Sequence, residues 1–247
     1  MRKGCIVFTV LLAVAIGVAG YFGYSYISDS LDIPEELAEY GSHDDALAHI
    51  TSKAPAPGPE ARITKEKMET LLGAFDSIQT GWRVTAVAID SLANIDKGAD
   101  SSAMGLLTMP QFIRQAMMGV MMTRRALVTH LNASNLSWEE YQWLKTRAIA
   151  AAGIDKPEAD SVFALSLPSR LAVRNRTNSF GESELANEKL FENVARVRSS
   201  GTIDSTETAL ARHYRNALLT RGSAALKGLE EAKSGLNMGA SIKSHEE

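Results

Sequence analysis

Thr64-Lys-Glu-Lys-Met-Glu-Thr-Leu-Leu-Gly-Ala-Phe-Asp-Ser-Ile-Gln-Thr-Gly-Trp-Arg-Val-Thr-Ala-Val-Ala-Ile89 carries its apolar residues at Met68, Leu71, Leu72, Phe75, Ile78, Trp82 and Ile89. Steps of three and four place them on one face of a helix. Its last eight residues, from Trp82, also partly alternate, which is the period of a strand. The longer period runs on to Leu92, so the stretch reads as a helix capped by Thr64 and extending towards Asp96. Gly73 and Gly81 weaken that helix by about 1 kcal/mol each relative to alanine. The later segments repeat the helical spacing, so this reading sets the class of the whole body as all-α.

Downstream, Asp96-Lys-Gly-Ala-Asp-Ser-Ser102 is a turn-rich link. Thr108-Met-Pro-Gln111 starts the next helix, with proline in its first turn. Phe112, Ile113, Met117, Val120, Met121, Leu127 and Val128 carry it to about Leu131, and Asn132-Ala-Ser-Asn135 ends it. Ser137-Trp-Glu-Glu140 is a capping box with Leu136 as its hydrophobic staple. That helix runs to Ala152 with Tyr141, Leu144 and Ala148 on one face, and Gly153 caps it. Pro157-Glu158 opens another through Phe163, broken at Pro168. Ser183 caps a helix stopped by Gly201, and Ser205 caps one through Leu210, Tyr214 and Leu218, stopped by Gly222. The expectation is a bundle of about five or six helices over residues 63–236, then a polar tail over 237–247.

Upstream lies a segment of different character. Residues 5–27 form an uncharged, mostly apolar run behind Arg2 and Lys3. About 20 helical residues match a hydrocarbon core about 30 Å thick. Tyr21, Phe22, Tyr24 and Tyr26 cluster at its far end, as rings do at a headgroup layer. Bases precede the run and acids follow it, so residues 1–4 are expected in the cytoplasm and the body outside, as in a periplasm. A cleaved signal peptide is the rival reading, with Gly17 and Ala19, or Val18 and Gly20, as the small residues for a peptidase. Ala15, Ala19 and Gly23 recur every four residues and offer a weak homodimer contact through the anchor. Residues 28–62 read as an acidic, then proline-rich spacer, with Lys53-Ala-Pro-Ala-Pro-Gly-Pro-Glu60 extended. A surface loop within one domain is the alternative. The order of anchor, spacer and helical body is similar to that of tethered periplasmic folding helpers such as lipase chaperones, in arrangement and not in signature residues.

The 247 residues carry a net charge of −3, which gives no general attraction to nucleic acid. Cys5 is the one cysteine, so the body contains no disulfide and depends on packing. No phosphate-binding glycine loop, GxSxG, HExxH or paired-cysteine motif occurs. Trp138-Glu-Glu-Tyr-Gln-Trp143 sets acids beside aromatics, but adjacent carboxylates at a helix start lack the separation a hydrolase needs. His43, Asp44, Asp45 and His49 cluster, yet their histidines are not at the spacing of a helical metal pair. No catalytic residue, metal or cofactor follows.

Two features point to recognition. Met117, Met118, Met121 and Met122 lie in the methionine-dense span from Met104, and thioether faces make adaptable binding surfaces, bind Cu(I), or simply fill cores. Arg124 and Arg125 follow, and Arg170, Arg174, Arg176, Arg196, Arg198, Arg212 and Arg215 extend the basic character. Such a surface suits an anionic envelope component, or draws the acidic 28–62 segment back onto the body. The functional expectation is a non-enzymatic, membrane-tethered interaction module. It would present Met117, Met118, Met121, Met122, Arg124 and Arg125 to an envelope protein partner. A ligand sensor and an enzyme without short motifs are the alternatives.

Overall fold

Trp82 to Ile89 is helix, within a single element that runs from Lys65 to Ile95. The computed structural model describes residues 32–95, 103–166 and 183–226, and all regular structure in them is helical. The apolar run 5–27, the link 96–102, Pro168, Arg170, Arg174, Arg176 and the tail 237–247 lie outside the described residues. Two short helices, α1 (Glu35–Ala38) and α2 (His43–Ala48), precede the long α3 (Lys65–Ile95) and α4 (Ala103–Ala133). The remaining helices are α5 (Trp138–Ala152), α6 (Lys156–Ser166), α7 (Ser183–Ser199), α8 (Ser205–His213) and α9 (Arg215–Leu226). Seven helices thus fall in the body among the described residues, where five or six were expected. None is long and apolar enough to cross a membrane.

The extra helix arises from a break. The segment read as one helix from Ser205 to Gly222 is interrupted at Tyr214, and its cap is Asp204, whose side chain accepts from the Glu207 N–H. Gly222 does not stop it; α9 continues to Leu226. A Cβ on Gly222 would sit 2.6 Å from a Phe75 ring carbon, so glycine is there to let α9 lie on α3. Pro110 likewise lies inside α4, not in its first turn. It costs that helix one backbone bond, while apolar spacing continues through Leu106 and Leu107. The capping box is as read: Ser137 and Glu140 reciprocate, and Gly153 closes α5 in the left-handed region at φ 69°.

α3 and α4, each about 46 Å long at 1.5 Å per residue, form an antiparallel hairpin. His130 on α4 lies 3.0 Å from the Thr70 carbonyl on α3. At the other end of the contact Thr85 meets Gly119. α9 and α5 pack on α3, α6 beside α9, and α7 and α8 on α5. The core they enclose is built from large side chains, with Met68, Leu71, Phe75, Ile78, Leu131, Tyr141, Leu144, Ile149, Ile154 and Leu218 all but fully buried. Each contributes about 1.5–3 kcal/mol on transfer from water. That core ends at Ala86 on α3 and Leu127 on α4. Trp82, stacked on Phe163 at 5.3 Å, marks where the hairpin leaves the body.

At that point the two backbones of the hairpin are brought together by small residues. A Cβ on Gly81 would approach the Gly119 carbonyl and the Thr123 nitrogen to 2.6 Å, and one on Gly119 would approach the Thr85 nitrogen equally closely. Two Gly-x-x-x-Thr pairs therefore bring the backbones together. Each threonine hydroxyl donates to its own glycine carbonyl, Thr85 to Gly81 at 3.0 Å and Thr123 to Gly119 at 2.8 Å. The buried hydroxyls are thus satisfied without a partner across the seam.

Candidate functional site

The surface of α4 that sequence reading singled out is where the chain's own amino-terminal strap lies. Residues 32–51 run along α4 in the same direction as the helix, from Arg114 to Asn132. At one end the Asn132 side chain accepts from the Thr51 N–H at 2.8 Å and donates to the His49 carbonyl at 2.9 Å. Next, α2 sits over Leu127, Val128 and Leu131, with Ala46 and Ile50 in the core. Its helix forms because Ser42 and Asp45 make a capping box. Arg124 Nη1 then donates to the Tyr40 carbonyl at 3.0 Å and to the Gly41 carbonyl. Glu36 on α1 pairs with Arg125 at 3.3 Å. Last, Arg114 Nε donates to the Asp32 carbonyl at 2.7 Å.

Arg124 and Arg125 are thereby engaged by the chain itself. Burial pushes the Arg124 guanidinium below its usual value, and the nearby Asp45 charge draws it back up. Its Nε has no hydrogen-bond partner among the described residues, a cost accepted for the two carbonyl bonds. Met121 is buried beneath the strap; a Cβ on Gly41 would lie 3.7 Å from its methyl. Met117, Met118 and Met122 are half-buried on the same helix. The six residues are therefore not one open groove: three carry the strap, and three remain partly accessible along the hairpin. Of residues 28–62, expected as a spacer, the part around α1 and α2 lies on the body.

Between α2, α4 and Trp138 is an apolar cavity of about 20 Å³, lined by His43, Ala46, Leu127 and Leu131 among others. It has room for about one water molecule and none for an organic substrate. The histidines of the 43–49 cluster face aromatics: His43 lies edge-on to Trp138 at 5.3 Å, and His49 meets Tyr40 at 4.9 Å. No group of three potential metal ligands occurs among the described residues. Glu140 is occupied with the Ser137 N–H at 3.1 Å.

Several described arginines elsewhere are also engaged internally. Arg198 donates to the Ile154 carbonyl at 2.6 Å and to the Ala150 carbonyl at 3.2 Å, tying α7 to the end of α5. Arg215 pairs with Glu158, and Arg62 with Asp204. Sequence reading passed over the most buried pair, Arg147 with Glu207, which is doubly bonded at 2.5 and 2.8 Å. Glu207 also accepts the Ile63 N–H at 3.2 Å, and Arg147 donates to the Thr202 carbonyl at 2.8 Å. One ion pair thus joins α5, α8 and the approach to α3. Its signal was present: Arg147 interrupts the apolar face of Leu144 and Ala148.

Comparison with known protein families, curated proteins and solved structures finds no match.

Proposed function

We propose that the chain is a membrane-tethered helical interaction module. It acts by holding a surface at a fixed place beside a bilayer, on the extracytoplasmic side. The observation that carries this reading is the strap. The chain leaving the apolar run 5–27 meets the body at Asp32 and is fastened to α4 from Arg114 to Asn132. A slack linker would let the body wander. A strap bonded at Arg114, Arg124, Arg125 and Asn132 leaves only residues 28–31 between the run and the body. The surface so placed is the distal part of the α3–α4 hairpin, which carries the half-buried Met117 and Met118.

The test is fractionation of cells making the full chain, followed by alkaline carbonate extraction and mass measurement of the product. A chain of full mass that stays with the membranes is expected. A product beginning near Tyr21 in the soluble fraction would end the tether reading. Cross-linking from the hairpin in intact membranes, with identification of what is captured, tests the interaction role; capture that fails to repeat would count against it.

A further inference from the structure

We propose that the distal part of the α3–α4 hairpin rests on the lipid surface itself, so that the bilayer is the partner this face fits. The inference rests on the tether reading above and adds the identity of the partner. Five Cα steps separate Ile27, the end of the apolar run, from Asp32. At about 3.3–3.6 Å each they span at most about 18 Å. Asp32 is fixed at Arg114 by the 2.7 Å bond from Arg114 Nε. From Arg114 back to Ala103, α4 continues for about 17 Å at 1.5 Å per residue. Even fully extended, the tether is therefore about as long as the piece of hairpin that projects past its point of attachment. Traced back from Thr51 to Asp32, the strap also runs in that direction, passing Asn132, then Arg124, then Arg114. A bilayer reached by residues 5–27 lies within contact of the hairpin's far end.

The hairpin has the composition for such a contact. Between residues 103 and 123 Arg114 is the sole charged residue, and between 84 and 95 Asp90 is the sole one. Val87 is 57% exposed. Phe112, Ile113, Met117 and Met118 are half-buried, although the hairpin is already tightly closed along Gly81 and Gly119. These side chains lie outside the main core, which ends at Ala86 and Leu127. Neither α3 nor α4 is apolar enough to cross a membrane. The fitting mode is interfacial, with apolar side chains entering the boundary between headgroups and acyl chains. The apolar run and the hairpin then form two contacts with one bilayer, which fixes the tilt of the body.

The single cysteine makes the test clean. In the full chain carrying Cys5→Ser, Val87→Cys or Glu192→Cys is labelled with an environment-sensitive fluorophore. Glu192, exposed on α7, which packs on α5, is the control. The protein is reconstituted in phosphatidylethanolamine and phosphatidylglycerol vesicles, with and without brominated lipid. The label at 87 is expected to shift to the blue and lose most of its emission to brominated lipid, while that at 192 does neither. Vesicle-bound protein whose label at 87 stays water-exposed overturns the lipid contact and leaves the tether standing. Protein that does not float with vesicles at all overturns both. Disulfide-linked dimers of unlabelled Val87→Cys in vesicles would assign this face to a second copy and overturn the lipid assignment.

Discussion

The body and the distal hairpin are both all-helical, yet they are held together by opposite means. In the body, large side chains fill the space between helices: Phe75, Tyr141, Leu144 and Leu218 are buried to 1% exposure or less. In the distal hairpin the space is nearly removed, since Gly81 and Gly119 bring the two backbones into contact. The first arrangement depends on volume and on satisfying the few polar groups enclosed with it. The second depends on the absence of side chains at two positions. Stability in the body is therefore shared among many residues, whereas the hairpin's pairing is concentrated at one crossing.

The largest effect should come from the deeply buried ion pair of the body, Arg147 with Glu207. Replacing Glu207 by alanine leaves Arg147, with a side chain 4% exposed, without its carboxylate. Breaking such a pair costs about 3–5 kcal/mol, because a buried charge is left uncompensated. It also strips the Ile63 N–H of its acceptor. Urea unfolding followed by circular dichroism should show a loss of this size in a single transition. A change below about 1 kcal/mol, the scale of an exposed pair, would mean that water replaces the carboxylate and that the pair does not join the helices as described.

In the hairpin, Gly119→Ala should cost about 1–3 kcal/mol as an overpacked contact. The added Cβ would meet backbone atoms of Thr85 and Gly81, which cannot rotate away. The loss should be local. Amide hydrogen exchange is expected to quicken over residues 84–92 and 110–118, with α5 unchanged. Equal loss of protection in α5 would show that body and hairpin unfold together, which would erase the contrast between them.

Gly222→Ala sharpens the same contrast from the other side. Its Cβ would also fall 2.6 Å from a neighbour, but the neighbour is the Phe75 ring. A ring can tilt where a backbone cannot, so the cost should be lower, about 1 kcal/mol, near the bottom of the range for overpacking. A greater loss than for Gly119→Ala would reverse the ranking.

These glycines also show where sequence reading stops. Helical spacing gave α3, the capping box gave the start of α5, and Gly153 gave its end, because each is encoded within a few adjacent residues. Gly73 and Gly81 read as helix penalties and Gly222 as a stop. Their purpose lies in a helix distant in the chain, and one sequence does not say which positions will meet. The same limit applies to the candidate site. Arg124 and Arg125 stand out as basic residues beside an acidic upstream segment, and that much was legible. That Arg124 would bond the Tyr40 and Gly41 carbonyls was not, since backbone acceptors have no sequence signature. Arg147 was legible in principle, as a charge on an apolar face, but its partner is 60 residues away.

The smallest expected effect concerns acid, and it falls on the body. Asp204 caps α8, and its carboxyl is held below the usual aspartate value chiefly by the Glu207 N–H, with the Arg62 charge adding to this. A carboxyl lowered in the folded state stabilises the fold above its unfolded pKa, and the contribution is lost as pH falls through the folded value. Stability should thus be insensitive to this group at neutral pH and decline only below about pH 4, the range of an unperturbed aspartate. Glu66, lowered by backbone and Thr64 hydrogen bonds, acts in the same sense. Asp204→Asn retains an oxygen to accept the Glu207 N–H but does not titrate. Its urea midpoint should fall less steeply than that of the parent between pH 4 and pH 2, with the Glu66 share of the slope remaining. Parallel slopes would show that the Glu207 N–H does not favour the charged carboxylate over the neutral acid. Because α8 packs on α5 and α9, the distal hairpin's hydrogen exchange should be the same in both proteins across that range.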